Sequence, residues 1–83
     1  MEASVFQEMV DRWPSPVVAR TEIQIFTGGL MTEKYQANLD SAGLGPKGRI
    51  RCGRKIGYPV QKYADWLEAR STAVLERTRQ IEE

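Results

Sequence analysis

The chain has 83 residues, 41% hydrophobic and 28% charged, with twelve basic and eleven acidic side chains and a net charge of +1. That length fits one small domain and excludes an enzyme with a substrate domain of its own, and the composition excludes a disordered chain. Histidine is absent, which removes the usual general base, the Ser-His-Asp arrangement and most catalytic zinc sites. The expectation is therefore no catalytic residue, no metal and no cofactor.

One cysteine, Cys52, forms neither an internal disulfide nor a thiolate cluster. With no basic-then-apolar leader and no apolar run near the ~20 residues that span a bilayer, a cytoplasmic protein without membrane contact is expected.

Residues 2–13 place Val5, Phe6, Met9, Val10 and Trp13 on one helical stripe, a packing surface for the same domain or for a second copy. Trp13-Pro14-Ser15-Pro16 ends this helix. The β-branched pair Val17-Val18 follows as a candidate third strand. Thr21 and Gln24 have capping-box spacing, predicting a helix over 21–27 with Ile23 and Phe26 inward. Gly28-Gly29 stops it, and Leu30 is the expected apolar anchor of the turn.

Thr32 is the next cap, with Glu33 at the positive end of a helix running to about residue 42. Tyr35 and Leu39, four apart, predict the inward face. The outward face then holds Glu33, Lys34, Gln36, Ala37, Asn38, Asp40 and Ser41. Two short helices joined by a glycine turn form a helix-turn-helix unit, whose second helix is the one that enters a major groove.

The charge is segregated. Residues 1–40 carry six acids and three cations, whereas 41–58 carry five cations, Lys47, Arg49, Arg51, Arg54 and Lys55, and no acid. The runs 49–52 and 55–58 alternate, predicting a hairpin with an apolar underside, Ile50 and Cys52 included, and a basic top. Gly53 provides the positive φ of its turn and sets Arg54 and Lys55 near the tip. A basic patch fits a polyanion, and a solvated edge that blocks strand pairing is the bland alternative. The glycines of GLGPKG lack the spacing of a nucleotide-binding loop. Pro59 opens a last helix over 60–80, with Trp66 and Leu67 expected under the hairpin against Tyr35 and Leu39; from Ser71 the thinner stripe reads as a solvated or dimerising extension.

This order, with GRIRCGRKIGYPV followed by ADWLEAR, resembles the excisionase-type winged helix-turn-helix domains, relatives of the MerR DNA-binding domain. The resemblance covers residues 17–70, leaving 1–16 as an N-terminal helix and linker and 71–83 as a C-terminal extension. It implies an α+β fold: a small winged helix-turn-helix with a two- or three-stranded antiparallel wing and flanking helices. It also implies a recognition helix offering Thr32, Glu33, Lys34, Gln36, Ala37 and Asn38, and a wing offering Lys47, Arg49, Arg51, Arg54 and Lys55.

The expected partner is double-stranded DNA, with integrase or RNA polymerase and self-association on DNA as further partners. The expected role is that of a prophage or mobile-element protein on the bacterial nucleoid, either a recombination directionality factor or a small transcriptional regulator. Acidic residues on the second helix leave open a protein-interaction adaptor that keeps the fold without binding DNA.

Overall fold

The computed structural model describes residues 4–71. Helix α1 (Val5–Arg12) is capped by Ser4, whose hydroxyl accepts from the Phe6 amide at 3.1 Å. Its stripe of Phe6, Met9, Val10 and Trp13 packs on the core, and the helix packs against the last of the described helices.

Trp13 then ties the linker down by donating from Nε1 to the Val17 carbonyl at 3.0 Å. Strand β1 (Val17–Ala19) follows, and a 3-10 turn over Arg20–Glu22 leads into α2 (Ile23–Phe26). The capping box expected at Thr21 does not form. The turn begins at Arg20, so Thr21 sits inside it rather than in front of a helix.

Leu30 is not the anchor of the next turn, being 71% exposed, and Met31 is buried instead. The reason is Thr27, whose buried hydroxyl donates to the Ile23 carbonyl at 2.9 Å and accepts from the Met31 amide at 3.1 Å. Helix α3 (Glu33–Ser41) starts as its spacing predicts, with Thr32 Oγ1 accepting from the Tyr35 amide at 3.1 Å.

Strands β2 (Ile50–Cys52) and β3 (Lys55–Pro59) join β1 in an antiparallel sheet of order β1-β3-β2. Val17-Val18 does supply the third strand, with Val18 opposite Tyr58. The hairpin turn is Gly53-Arg54, with Gly53 at φ 64° and Cys52 opposite Lys55.

That register overturns the predicted apolar underside. Paired residues share a face, so Ile50 and Cys52 fall with Lys55, Gly57, Val17 and Ala19, while the core face takes Val18, Ile56, Tyr58 and Arg51. Cys52 is exposed, not a buried hydrophobe. A two-residue turn puts the apolar residues of β2 and β3 on opposite faces, because side chains alternate along each strand.

Helix α4 (Val60–Ala69) begins at Pro59 and is pinned by the Val60 amide, which donates to the Pro16 carbonyl at 2.8 Å. It ends with Arg70 as its cap; the continuation expected over 72–80 lies outside the described residues. Val18, Ile23, Phe26, Met31, Leu39, Tyr58, Val60, Tyr63 and Leu67 form the core.

Tyr63 is its aromatic centre, with ring centroids 5.3 Å from Tyr58, 5.8 Å from Phe26 and 5.3 Å from Trp66. Trp66 itself is only half-buried, donating to the Leu44 carbonyl at 3.0 Å with the Arg70 guanidinium 5.0 Å over its ring. Leu67 joins Leu39 in the core as expected, whereas Tyr35 stays outside.

The fold is thus α+β, a small winged-helix-like domain in which α3 meets the hairpin through the Tyr58–Asp40 hydrogen bond. Among the described residues no helix is long and apolar enough to cross a membrane. Leu67→Ala should cost about 2–5 kcal/mol of stability. Leu30→Ala, at an exposed position, should stay within about 0.5 kcal/mol. Urea titration of both variants checks the core assignment, and equal losses would contradict it.

Candidate nucleic-acid interface

The phase of α3 decides which side chains it offers. Its buried residues are Gln36, Leu39 and Asp40, so the inward direction is turned by roughly 75° from the one set by Tyr35 and Leu39, at about 100° per residue. Lys34, Asn38 and Ser41 become outermost, all exposed, and Ala37 sits on the shoulder.

Gln36, expected at base edges, is 0% exposed and cannot reach them. Its Oε1 accepts from the Tyr63 hydroxyl at 2.7 Å and its Nε2 donates to Asp40 Oδ1 at 3.2 Å. Buried polar groups need partners, and the core offers these two only on the inner side of the helix.

Asp40, expected on the outer face, is also buried, with its side chain 4% exposed. Oδ2 accepts from the Tyr58 hydroxyl at 2.5 Å and pairs with Arg20 Nη2 at 2.6 Å. Arg20 Nε donates in turn to the Tyr58 oxygen at 3.0 Å.

The loop after α3 closes over this cluster. A Cβ on Gly45 would stand 1.8 Å from Asp40 Oδ1, so only glycine allows the approach. Arg49 leans in from the loop's far end, its Nη1 donating to the Pro46 carbonyl at 3.3 Å and lying 3.8 Å from Asp40 Oδ1.

Burial, then donation to Asp40, pushes the Tyr58 phenol up to about 12. Burial and the neighbouring Tyr58 raise Tyr63 as well. For Arg20, burial works to lower the guanidinium, but its bonds to Tyr58 and Asp40 outweigh that and raise it.

Outside the cluster lie the exposed cations. Arg54 and Lys55, at the hairpin tip, share a groove with Ala19, Thr21 and Glu33 at the start of α3. Thr32, Lys34 and Ala37 line the neighbouring surface with Arg20 and Gln24. Arg49 and Arg51, at the hairpin base, share a concavity with Arg20, Asp40 and Ser41. Lys47 is exposed in the loop, close to Arg49 and Arg51 along one concave wall.

The fold therefore brings Arg49, Arg51, Arg54 and Lys55 alongside α3, leaves Lys47 in the loop that follows it, and removes Gln36 from the set. Sequence reasoning missed Arg20, Thr21 and Gln24 as groove residues. Arg20 carries no periodic signal, since it lies between a strand and a helix, and only the fold shows that it reaches α3. Among the described residues no cluster of three or more His, Cys, Asp or Glu could hold a metal ion.

No protein-family model matches the chain, and no curated protein does.

The Tyr58 phenol, together with the raised Tyr63, contributes to an alkaline limit. The folded protein holds the Tyr58 proton to about 12, whereas an unfolded tyrosine releases it near about 10. The folded-state pKa is the raised one, so its stabilisation is complete below about pH 10 and is lost as pH rises toward 12. Urea titrations at pH 8, 10 and 11.5 should show stability falling across this window. Tyr58→Phe should start lower and fall less steeply; parallel slopes would show that Tyr58 does not contribute to the limit.

Proposed function

We propose that this chain is a sequence-specific double-stranded DNA-binding protein of the excisionase-like winged helix-turn-helix kind. In this reading it serves a prophage or mobile element on the bacterial nucleoid as a recombination directionality factor or small transcriptional regulator. Its action is architectural: bound copies bend or coat DNA so that integrase or RNA polymerase complexes assemble differently. Bending a site costs on the order of 1–6 kcal/mol, which several bound wings offset.

The observation that carries the reading is the groove shared by the hairpin-tip cations Arg54 and Lys55 with the start of α3. Helix α3, with nine residues and a diameter of about 10–12 Å with its side chains, fits a major groove about 12 Å wide. With α3 in the groove, Lys34 and Asn38 meet base edges, asparagine pairing with adenine in the common geometry. Arg54, Lys55 and Lys47 meet backbone phosphates. Glu33 limits the pull of one monomer, so tight binding calls for self-association on repeated sites.

The adaptor reading relies on the N-terminal stripe and the long last helix as docking faces, and the helix's expected continuation over 72–80 lies outside the described residues. In the folded chain Phe6, Met9, Val10 and Trp13 are turned onto their own core, which leaves the basic groove as the better candidate.

Electrophoretic mobility shift on fragments from the gene's own neighbourhood tests the proposal. Specific, steeply salt-dependent shifts are expected; no binding to any duplex would sink it. Replacing both Arg54 and Lys55 with alanine should weaken all sequences about equally and reduce the salt slope by about 2. An unchanged slope would remove the wing from the interface.

The two amides of α3 should also separate. Asn38→Ala should alter base preference with stability within about 0.5 kcal/mol of wild type. Gln36→Ala should cost about 1–3 kcal/mol by orphaning Tyr63 and Asp40. Reversal of these effects in binding and denaturation assays would restore the original phase of α3.

A further inference from the structure

We infer that the concavity between the C-terminal end of α3 and strand β2 is a seat for a phosphate oxyanion, formed by Arg20, Ser41, Arg49 and Arg51 with Asp40 as the positioning residue. It rests on the proposed function in one respect, the source of the phosphate, which is then a backbone phosphodiester of the bound duplex.

Three guanidinium groups line this one hollow, and a single carboxylate opposes them. A guanidinium has five N–H donors. Arg20 uses two of its own, on Tyr58 and Asp40, and Arg49 uses one on the Pro46 carbonyl. Arg51 makes no hydrogen bond or ion pair among the described residues and is exposed at the mouth. Ser41 adds a hydroxyl to the wall. The surplus of donors is what a phosphate accepts, and the fork of arginine suits its paired oxygens.

The carbonyl end of α3 and Asp40 both oppose an anion. Asp40, however, is buried beneath the hollow and already shared by Tyr58, Gln36 and Arg20. Its effect is to hold the Arg20 fork in place before any ligand arrives, which lowers the ordering cost of binding.

The placement has a geometric consequence. The hairpin tip stands beside Glu33 and its base beside Asp40 and Ser41. These ends are separated by about 11–12 Å along the helix axis, close to the width of a major groove. Cations at both ends of α3 therefore match phosphates on both walls of the groove it enters.

The test uses the full chain with two probes, inorganic phosphate followed by amide NMR and a duplex followed by anisotropy across a salt series. Phosphate should shift the amides of Ser41, Arg49 and Arg51 saturably, with chloride at equal ionic strength leaving them in place. Arg51→Ala, at an exposed position, should reduce the duplex salt slope by about 1 and the affinity roughly tenfold at 0.1 M salt. Arg20→Lys, which keeps a cation beside Asp40 while removing the fork, should weaken both probes with the fold intact by circular dichroism.

Duplex binding that is indifferent to these substitutions, with no saturable phosphate shifts, overturns the seat and leaves the DNA-binding proposal standing. Saturable shifts without duplex binding keep the seat, assign it to a free phosphate and overturn the DNA-binding proposal. Failure of both probes overturns both.

Discussion

A single buried carboxylate holds the two halves of the candidate interface in register. Asp40 belongs to α3, Tyr58 to β3 and Arg20 to the turn after β1, and their polar atoms meet at 2.5–3.0 Å. Burying a charge is expensive unless it is paired and fully hydrogen-bonded, and losing one partner leaves the cost uncompensated. Any tilt of α3 against the sheet would strip Asp40 of Tyr58 or Arg20. The angle between helix and wing is thus set by a group that tolerates little deviation.

The same cluster divides the domain into a supporting side and a working side. Inward, Gln36 passes the network to Tyr63, where it joins the aromatic packing of Phe26, Tyr58 and Trp66. Outward, it presents Arg20 and Arg49 beside Arg51, while the tip cations Arg54 and Lys55 stand at the other end of the helix. Stability and charge placement are coupled here, because two of the groups around Asp40, Arg20 and Arg49, also line the surface offered to a polyanion. The outer face of α3, with Lys34, Asn38 and Ser41 exposed, contributes little to the core, so substitutions there act on binding more than on stability.

The sheet has its own division. Because the hairpin closes through two residues, Ile56 and Tyr58 face the helices while Ile50 and Cys52 face away with Val17 and Ala19. Arg51 is carried to the helix-side face at the sheet's edge, which is what brings it to the end of α3. A basic residue on the core face of an edge strand also guards that edge against strand pairing, so the bland role of the charge and its binding role coexist.

The sequence by itself determined the local elements: the Thr32 cap, the breaks at Pro14 and Gly28, the Gly53 turn, the strand at Val17-Val18 and the segregation of charge into 41–58. These follow from backbone preferences and near-neighbour hydrogen bonds, which a few residues suffice to define. What only the tertiary structure decided was direction. Tyr35 and Gln36 are adjacent, and apolarity alone points the tyrosine inward; the helix turns the other way because Tyr63 and Asp40 offer Gln36 two hydrogen bonds from residues distant in sequence or hidden by phase. Likewise the two alternating runs of the hairpin each read as amphipathic, but which faces coincide depends on the pairing across the turn. A polar side chain is assigned to the surface until its partners are known, and those partners are brought together only when the chain is folded.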